Sequence, residues 1–214
     1  MHTILITGFE PFGGESDNPS WQVAKALEGW QPNEECIVKA VRLPCTFDDS
    51  LPTLQSALES LSPVMVIALG QAGGRAEISL EKVAINYQDA PIPDNAGKQP
   101  HGTPVVPSGP NAYFSTLPLN RLVTALNEAH HPAGISYTAG TFVCNHVFYG
   151  LMHALAHHTE VRAGFIHIPY SPAQACKHRA PSMPIGDVVA AMKIAIELSV
   201  LDDDVTSVCE GMLH

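Results

Sequence analysis

The six residues Val64–Leu69, VMVIAL, form an unbroken apolar run. The run falls far short of the roughly 20 apolar residues that cross a bilayer, and it lacks the alternation of a strand with one wet face. It fits a strand covered on both faces, as in a parallel sheet flanked by helices. The rest of the chain supplies the flanking elements. Thr3–Ile6 reads as a buried strand, and Asn18-Pro19-Ser20 opens a helix to about Leu27, with Asn as cap and Pro in the first turn. Residues 36–43 alternate like a strand, and 47–62 carry a helical stripe at 47, 51, 54, 58 and 61. Further on, 77–87 reads as a strand, Pro118 to Ala129 as a helix and Ile135–Tyr137 as a short strand. Asn145 to His157 then reads as a histidine-rich helix, Gly164–Ile168 as a strand ended by Pro169, and Ile185–Leu198 as an amphipathic helix. Strands alternating with helices predict an α/β fold with a largely parallel central sheet and helices on both faces. The 214 residues fit one domain, 1–214. Ligands of such sheets bind beyond the carboxyl ends of the strands, so the loops after Ile6, Leu69, Tyr137 and Ile168 are the places for a site.

Between Gln88 and Ser115 lies a stretch with six prolines and three glycines. A structureless segment of that length is usually functional, which suggests an active-site cover or a subunit contact. Charge excludes other roles. The formal net charge of −10 argues against nucleic acid as a partner, because phosphate binding needs a basic surface. Charged residues make up only 15% of the chain, well below the roughly 25% of typical soluble proteins, which hints at surface covered by another subunit. The cysteines, at 36, 45, 144, 176 and 209, are odd in number and form no CxxC pair, as expected in a reducing compartment. The apolar run near the amino terminus stops at Thr7-Gly8, short of a signal peptide's core, so the chain reads as cytoplasmic and without a membrane partner.

No P-loop, dinucleotide fingerprint, GxSxG elbow or HExxH is present. His146, His153 and His157 share roughly one helical face, but no acidic residue or thiol on that helix completes a ligand set, so no metal is expected. Cys144 stands out in Thr141-Phe-Val-Cys-Asn-His146, at the junction of an apolar segment with the helix. A thiol in a first helical turn meets unpaired N–H groups and the positive end of the dipole, which favour the thiolate; its bland alternative is a small buried hydrophobe. His167 stands in an otherwise apolar strand near its carboxyl end, on the same face as Phe165. Glu81 lies between Leu80 and Val83 in a strand, and a buried carboxylate is rare unless paired. Together the three supply the nucleophile, base and orienter of acyl transfer. Two rivals remain at this point: a non-catalytic small-molecule or peptide binder with Cys144 as core, and a cysteine amidase for another cyclic or acylated substrate.

Six blocks resemble one family. They are Thr7-Gly-Phe-Glu-Pro-Phe-Gly-Gly14 with Asn18-Pro-Ser20, Gly70-Gln-Ala-Gly-Gly-Arg75, Glu81-Lys-Val-Ala-Ile-Asn86, Asp94-Asn95, Gly140-Thr-Phe-Val-Cys-Asn-His-Val-Phe-Tyr-Gly150 and His167-Ile-Pro-Tyr170. In this order they are similar to pyroglutamyl peptidase type I, or pyrrolidone carboxyl peptidase. The resemblance implies a three-layer α/β/α sandwich and a cytosolic cysteine exopeptidase that removes an N-terminal pyroglutamyl residue from peptides, with no cofactor. It assigns the nucleophile to Cys144, the general base to His167 and its orienting acid to Glu81. It places Phe9, Phe12 and Asn18 near the lactam pocket and Gln71, Phe142 and Val143 at its remaining walls. It also implies a homotetramer. One position departs from the family: Asp89-Ala-Pro-Ile-Pro-Asp-Asn95 carries Pro91 where an arginine is usual.

Overall fold

The computed structural model describes residues 1–201. Its centre is a six-stranded sheet built from β1 (His2–Phe9), β2 (Cys36–Leu43), β3 (Met65–Gln71), β4 (Ile78–Glu81), β7 (Ala133–Ser136) and β8 (Arg162–Ile168), in the order β2-β1-β3-β8-β4-β7. β2, β1, β3 and β8 run parallel. β4 runs antiparallel to β8, and β7 follows β4 in parallel. The reversal has a simple cause. Only residues 72–77 separate β3 from β4, too few for the crossover of a dozen or more residues that a parallel return needs.

Helices cover both faces, as alternation along the strands requires. Ile4, Ile6, Ile67, Leu69, Ile166 and Ile168 point to one side, where they meet α1 (Pro19–Leu27), α3 (Leu119–Glu128) and α6 (Ile185–Leu201) in one apolar cluster. Leu5, Val66, Ala68 and Phe165 point to the other, against α2 (Ser50–Leu61) and α4 (Val143–Ala154). This is the three-layer α/β/α arrangement expected from the sequence. α1 starts where predicted: the Asn18 side chain accepts from Ser20 N at 3.0 Å, with Pro19 in the first turn. The start of α1 also lies so close to β1 that a β-carbon at Gly8 would sit 2.4 Å from the Ser20 carbonyl oxygen, so only glycine fits there.

Three elements differ from the sequence reading. The strand expected over 77–87 breaks at Lys82 into β4 and β5 (Val83–Ile85). β5 leaves the main sheet to pair with β6 (Ala112–Phe114), which lies inside the proline-rich stretch, while Asn145 of α4 takes Ile85 N and donates to the Ile85 and Tyr87 carbonyls. α4 begins two residues earlier than expected. Finally, α5 (Pro172–His178) was not anticipated, although Ser171-Pro-Ala-Gln174 carries a complete capping box with proline in its first turn.

Candidate active site

His167 lies near the carboxyl end of β8, with Gly70 of β3 as its register partner on one side and Ser79 of β4 on the other. Glu81, two residues beyond Ser79, therefore lies diagonally across the same face of the sheet. The His167 Nδ1 and Glu81 Oε1 atoms are 2.7 Å apart, and the glutamate is wholly buried. The same carboxylate oxygen accepts from Arg75 Nη1 at 2.7 Å, and Arg75 Nη2 donates to the Thr138 carbonyl at 3.1 Å. Glu81 Oε2 is buried and accepts from no group among the described residues.

Cys144 is the second residue of α4. Phe142 is the N-cap, and no side chain caps the helix, so the N–H groups of its first turn remain directed at whatever lies in front of them. The thiol sits over the sheet at Gly70, where the missing side chain leaves room for it. A β-carbon on Gly70 would lie 3.0 Å from Cys144 Sγ and 2.7 Å from the Phe165 ring, so glycine here lets the sulfur settle onto β3 opposite His167. Thus the first turn of α4, the end of β3 and the end of β8 converge, with β4 holding the carboxylate behind them.

Burial governs the proton positions. It pushes the Cys144 thiol up, and nearby Cys45 and Glu81 act in the same direction, against Arg75. This acts against the pull of the helix terminus toward a thiolate. Burial likewise pushes the His167 imidazole down; the hydrogen bond and charge of Glu81 oppose it, and Arg75 adds to the lowering. With Nδ1 engaged by Glu81, Nε2 is the nitrogen left to take a proton.

The expected pocket residues take different positions. Phe12 and Phe142 are half-buried with ring centroids 6.3 Å apart, and buried Phe47 meets Phe142 edge-on at 5.5 Å. Phe9 is only 2% exposed and rests against Phe165, so it backs the site from the core. Val143 is fully buried in the first turn of α4. The Gln71 carbonyl oxygen of the side chain accepts from Gln174 Nε2 of α5 at 3.0 Å. Asn18 is engaged by the chain itself, accepting from Ser20 and donating to the Glu10 carbonyl at 3.1 Å. Two residues had no role in the sequence reading, Arg75 and Phe47. Arg75 had a signal, since a buried carboxylate calls for a cation and the reading supplied only the histidine.

The proline-rich stretch lies against this site. Asp89 N donates to the Thr141 carbonyl at 3.1 Å, and Asp94 Oδ2 accepts from Phe47 N at 2.8 Å. Pro91 is exposed on this stretch. Lys98 pairs with Asp48 at 2.5 Å, and Arg75 is held by Glu81. The histidines of α4 have separate surroundings. His146 is buried beside Phe47, while His153 Nδ1 meets the Tyr113 hydroxyl at 2.8 Å. Cys36 and Cys45 are buried, burial pushing the latter up to about 12, and Cys176 is exposed on α5; Cys209 lies outside the described residues.

A thiol at an open helix terminus seated on β3, with an imidazole held by a carboxylate at the carboxyl end of the next strand, β8, suits a cysteine hydrolase. Comparison with known proteins narrows that class. The family model for pyroglutamyl peptidase matches residues 2–202, and the chain belongs to that family. It is 53% identical to a pyrrolidone-carboxylate peptidase of Escherichia fergusonii and 51% identical to one of an Enterobacter species, each alignment covering 100% of both chains. Among solved structures, pyroglutamyl peptidase I of Bacillus amyloliquefaciens superposes with a TM-score of 0.91 at 44% identity, covering 95% of this chain and 99% of that one. A variant of the pyrrolidone carboxyl peptidase of Pyrococcus furiosus gives 0.89 at 40% identity, covering 92% and 98%. No helix among the described residues is long and apolar enough to cross a membrane.

Proposed function

We propose that the chain, as one domain, hydrolyses the bond after an N-terminal pyroglutamyl residue, with Cys144 as nucleophile, His167 as general base and acid, and Glu81 as the group that orients the imidazole. The observation that carries this reading is the seat of Cys144 over Gly70, opposite the His167 and Glu81 pair. As substrate enters, His167 Nε2 takes the thiol proton while Sγ bonds to the pyroglutamyl carbonyl carbon. The carbonyl oxygen gains the displaced electron pair and meets the uncapped N–H groups of α4, including that of Cys144. The imidazolium then gives its proton to the departing amine, leaving a thioester. Water attacks the thioester, its proton passing to His167, and the thiol leaves with pyroglutamate released. Glu81 favours the charged imidazole in both halves of the cycle, opposing the burial that disfavours it.

Pyroglutamate has no free amine, so its recognition needs no carboxylate for an ammonium. Flat half-buried rings such as Phe12 and Phe142 suit the faces of a neutral lactam, with Phe9 and Val143 behind them. Gln71 and Asn18 shape the adjoining loops through their bonds to Gln174 and Glu10. Backbone groups pair the ring N–H and carbonyl, and leaving them unpaired penalises a substrate without the lactam. The assembly we propose is a cytoplasmic homotetramer. The purified protein should release a fluorogenic amine from a pyroglutamyl amide at least a hundredfold faster than from the prolyl amide, which differs by the ring carbonyl. Equal rates on the two amides, or release from neither, would overturn the substrate assignment.

A further inference from the structure

Arg75 stands in the loop after β3, and its guanidinium joins two other parts of the site. One nitrogen donates to Glu81 Oε1 on β4, the other to the Thr138 carbonyl in the segment that leads from β7 into the first turn of α4. Its side chain is about one-third exposed while its carboxylate partner is wholly buried, so the cation closes the outer side of a buried charge. Because Arg75 and His167 meet the same oxygen, the position of the guanidinium fixes which edge of the carboxylate the imidazole meets.

We infer that Arg75 is a positioning residue for this chemistry: it clamps Glu81 to the loop that carries Cys144, and its charge stands on the same carboxylate oxygen that holds His167. The inference rests on the proposed roles of Cys144, His167 and Glu81, and Arg75 itself touches neither thiol nor imidazole. The titratable and charged groups turned toward His167 are Glu81 from β4, Cys144 from α4 and Arg75 from the loop after β3. Of these, Glu81 favours the imidazolium and Arg75 disfavours it. The direction follows. Removing the guanidinium makes His167 easier to protonate, so the acidic limb of activity moves to higher pH. A planar fork spans two acceptors where an ammonium holds one, so lysine preserves the charge and loses the clamp.

The test compares Arg75→Gln and Arg75→Lys with the unaltered protein, using kcat and KM for a pyroglutamyl amide across pH. The imidazole of His167 is titrated by NMR in the same three proteins, a readout that needs no turnover. Arg75→Gln should shift both the acidic limb and the NMR titration upward by about half a pH unit or more. Its kcat should fall about tenfold or more with KM nearly unchanged. Arg75→Lys should keep the limb and titration in place while kcat still falls severalfold. An unmoved or downward titration in Arg75→Gln, or unaltered kcat in Arg75→Lys, overturns the inference. Should Arg75→Gln not fold, the kcat of Arg75→Lys still decides. If the unaltered protein cleaves no pyroglutamyl amide, the function reading fails, whereas the NMR shift still tests the electrostatic part.

Discussion

Burial acts against both the Cys144 thiolate and the His167 imidazolium, so in the proposed reaction the thiol proton passes to His167 as the bond to carbon forms. His167→Ala removes the acceptor and should abolish turnover of a pyroglutamyl amide. Glu81→Gln should keep measurable activity, since an amide still holds the ring by one hydrogen bond. A Glu81→Gln enzyme as inactive as His167→Ala would show the orienting role to be wrong. A second histidine makes a separate prediction. Both His146 ring nitrogens are buried with no hydrogen-bond partner among the described residues, and burial lowers the pKa from 6.5 to about 4, with the Lys98 charge adding to the lowering and Asp48 opposing it. A depressed histidine contributes stability that is complete above the unfolded value and is lost as pH falls from about 6.5 toward 4, by roughly 3 kcal/mol in total. Melting curves of His146→Phe should therefore fall less steeply with acidification than those of the unaltered protein; parallel curves would contradict this. At this scale Cys144, His167 and Glu81 were legible because each breaks an apolar pattern. For Arg75 the sequence showed only that a buried carboxylate calls for a cation, not which one, since a loop arginine is compatible with any surface.

At the scale of elements, the site depends on how closely α4 approaches β3, and Gly70 is the contact that sets this distance. Gly70→Ala would place a methyl 2.7 Å from the Phe165 ring and 3.0 Å from Cys144 Sγ. The Phe165 ring is fully buried and has little room to move, so the methyl displaces the ring or the sulfur from its seat. We predict at least a tenfold loss of kcat with the fold retained, read from kinetics beside circular dichroism; unaltered kcat would mean that the sulfur's seat on β3 does not matter. The sequence showed the beginnings and periods of most elements, including Asn18 as a cap. It misled over 77–87, where apolar content continues through a point at which the chain changes sheets, because β7 ends at Ser136 and offers no further partner. α5 has only seven residues, too short for a periodic signal, so its capping box alone marked it.

For the whole molecule, the parallel core was legible from buried runs such as Val64–Leu69, whereas the reversed strands β4 and β7 depend on which strands become neighbours, which local pattern does not encode. Surface composition bears on assembly. Phe114 is 66% exposed and Tyr137 50%, on a chain whose charged fraction is only 15%. Light scattering at micromolar concentration should give about four times the 22.9 kDa chain mass, and a species of 22.9 kDa alone would contradict the tetramer. Turnover remains the property of the whole assembly that reports on the thiol. The most direct test is the rate of amine release from a pyroglutamyl amide by the unaltered protein and by Cys144→Ala, both shown to be folded. The account predicts release by the first and none above background by the second; turnover by folded Cys144→Ala at the unaltered rate would contradict it.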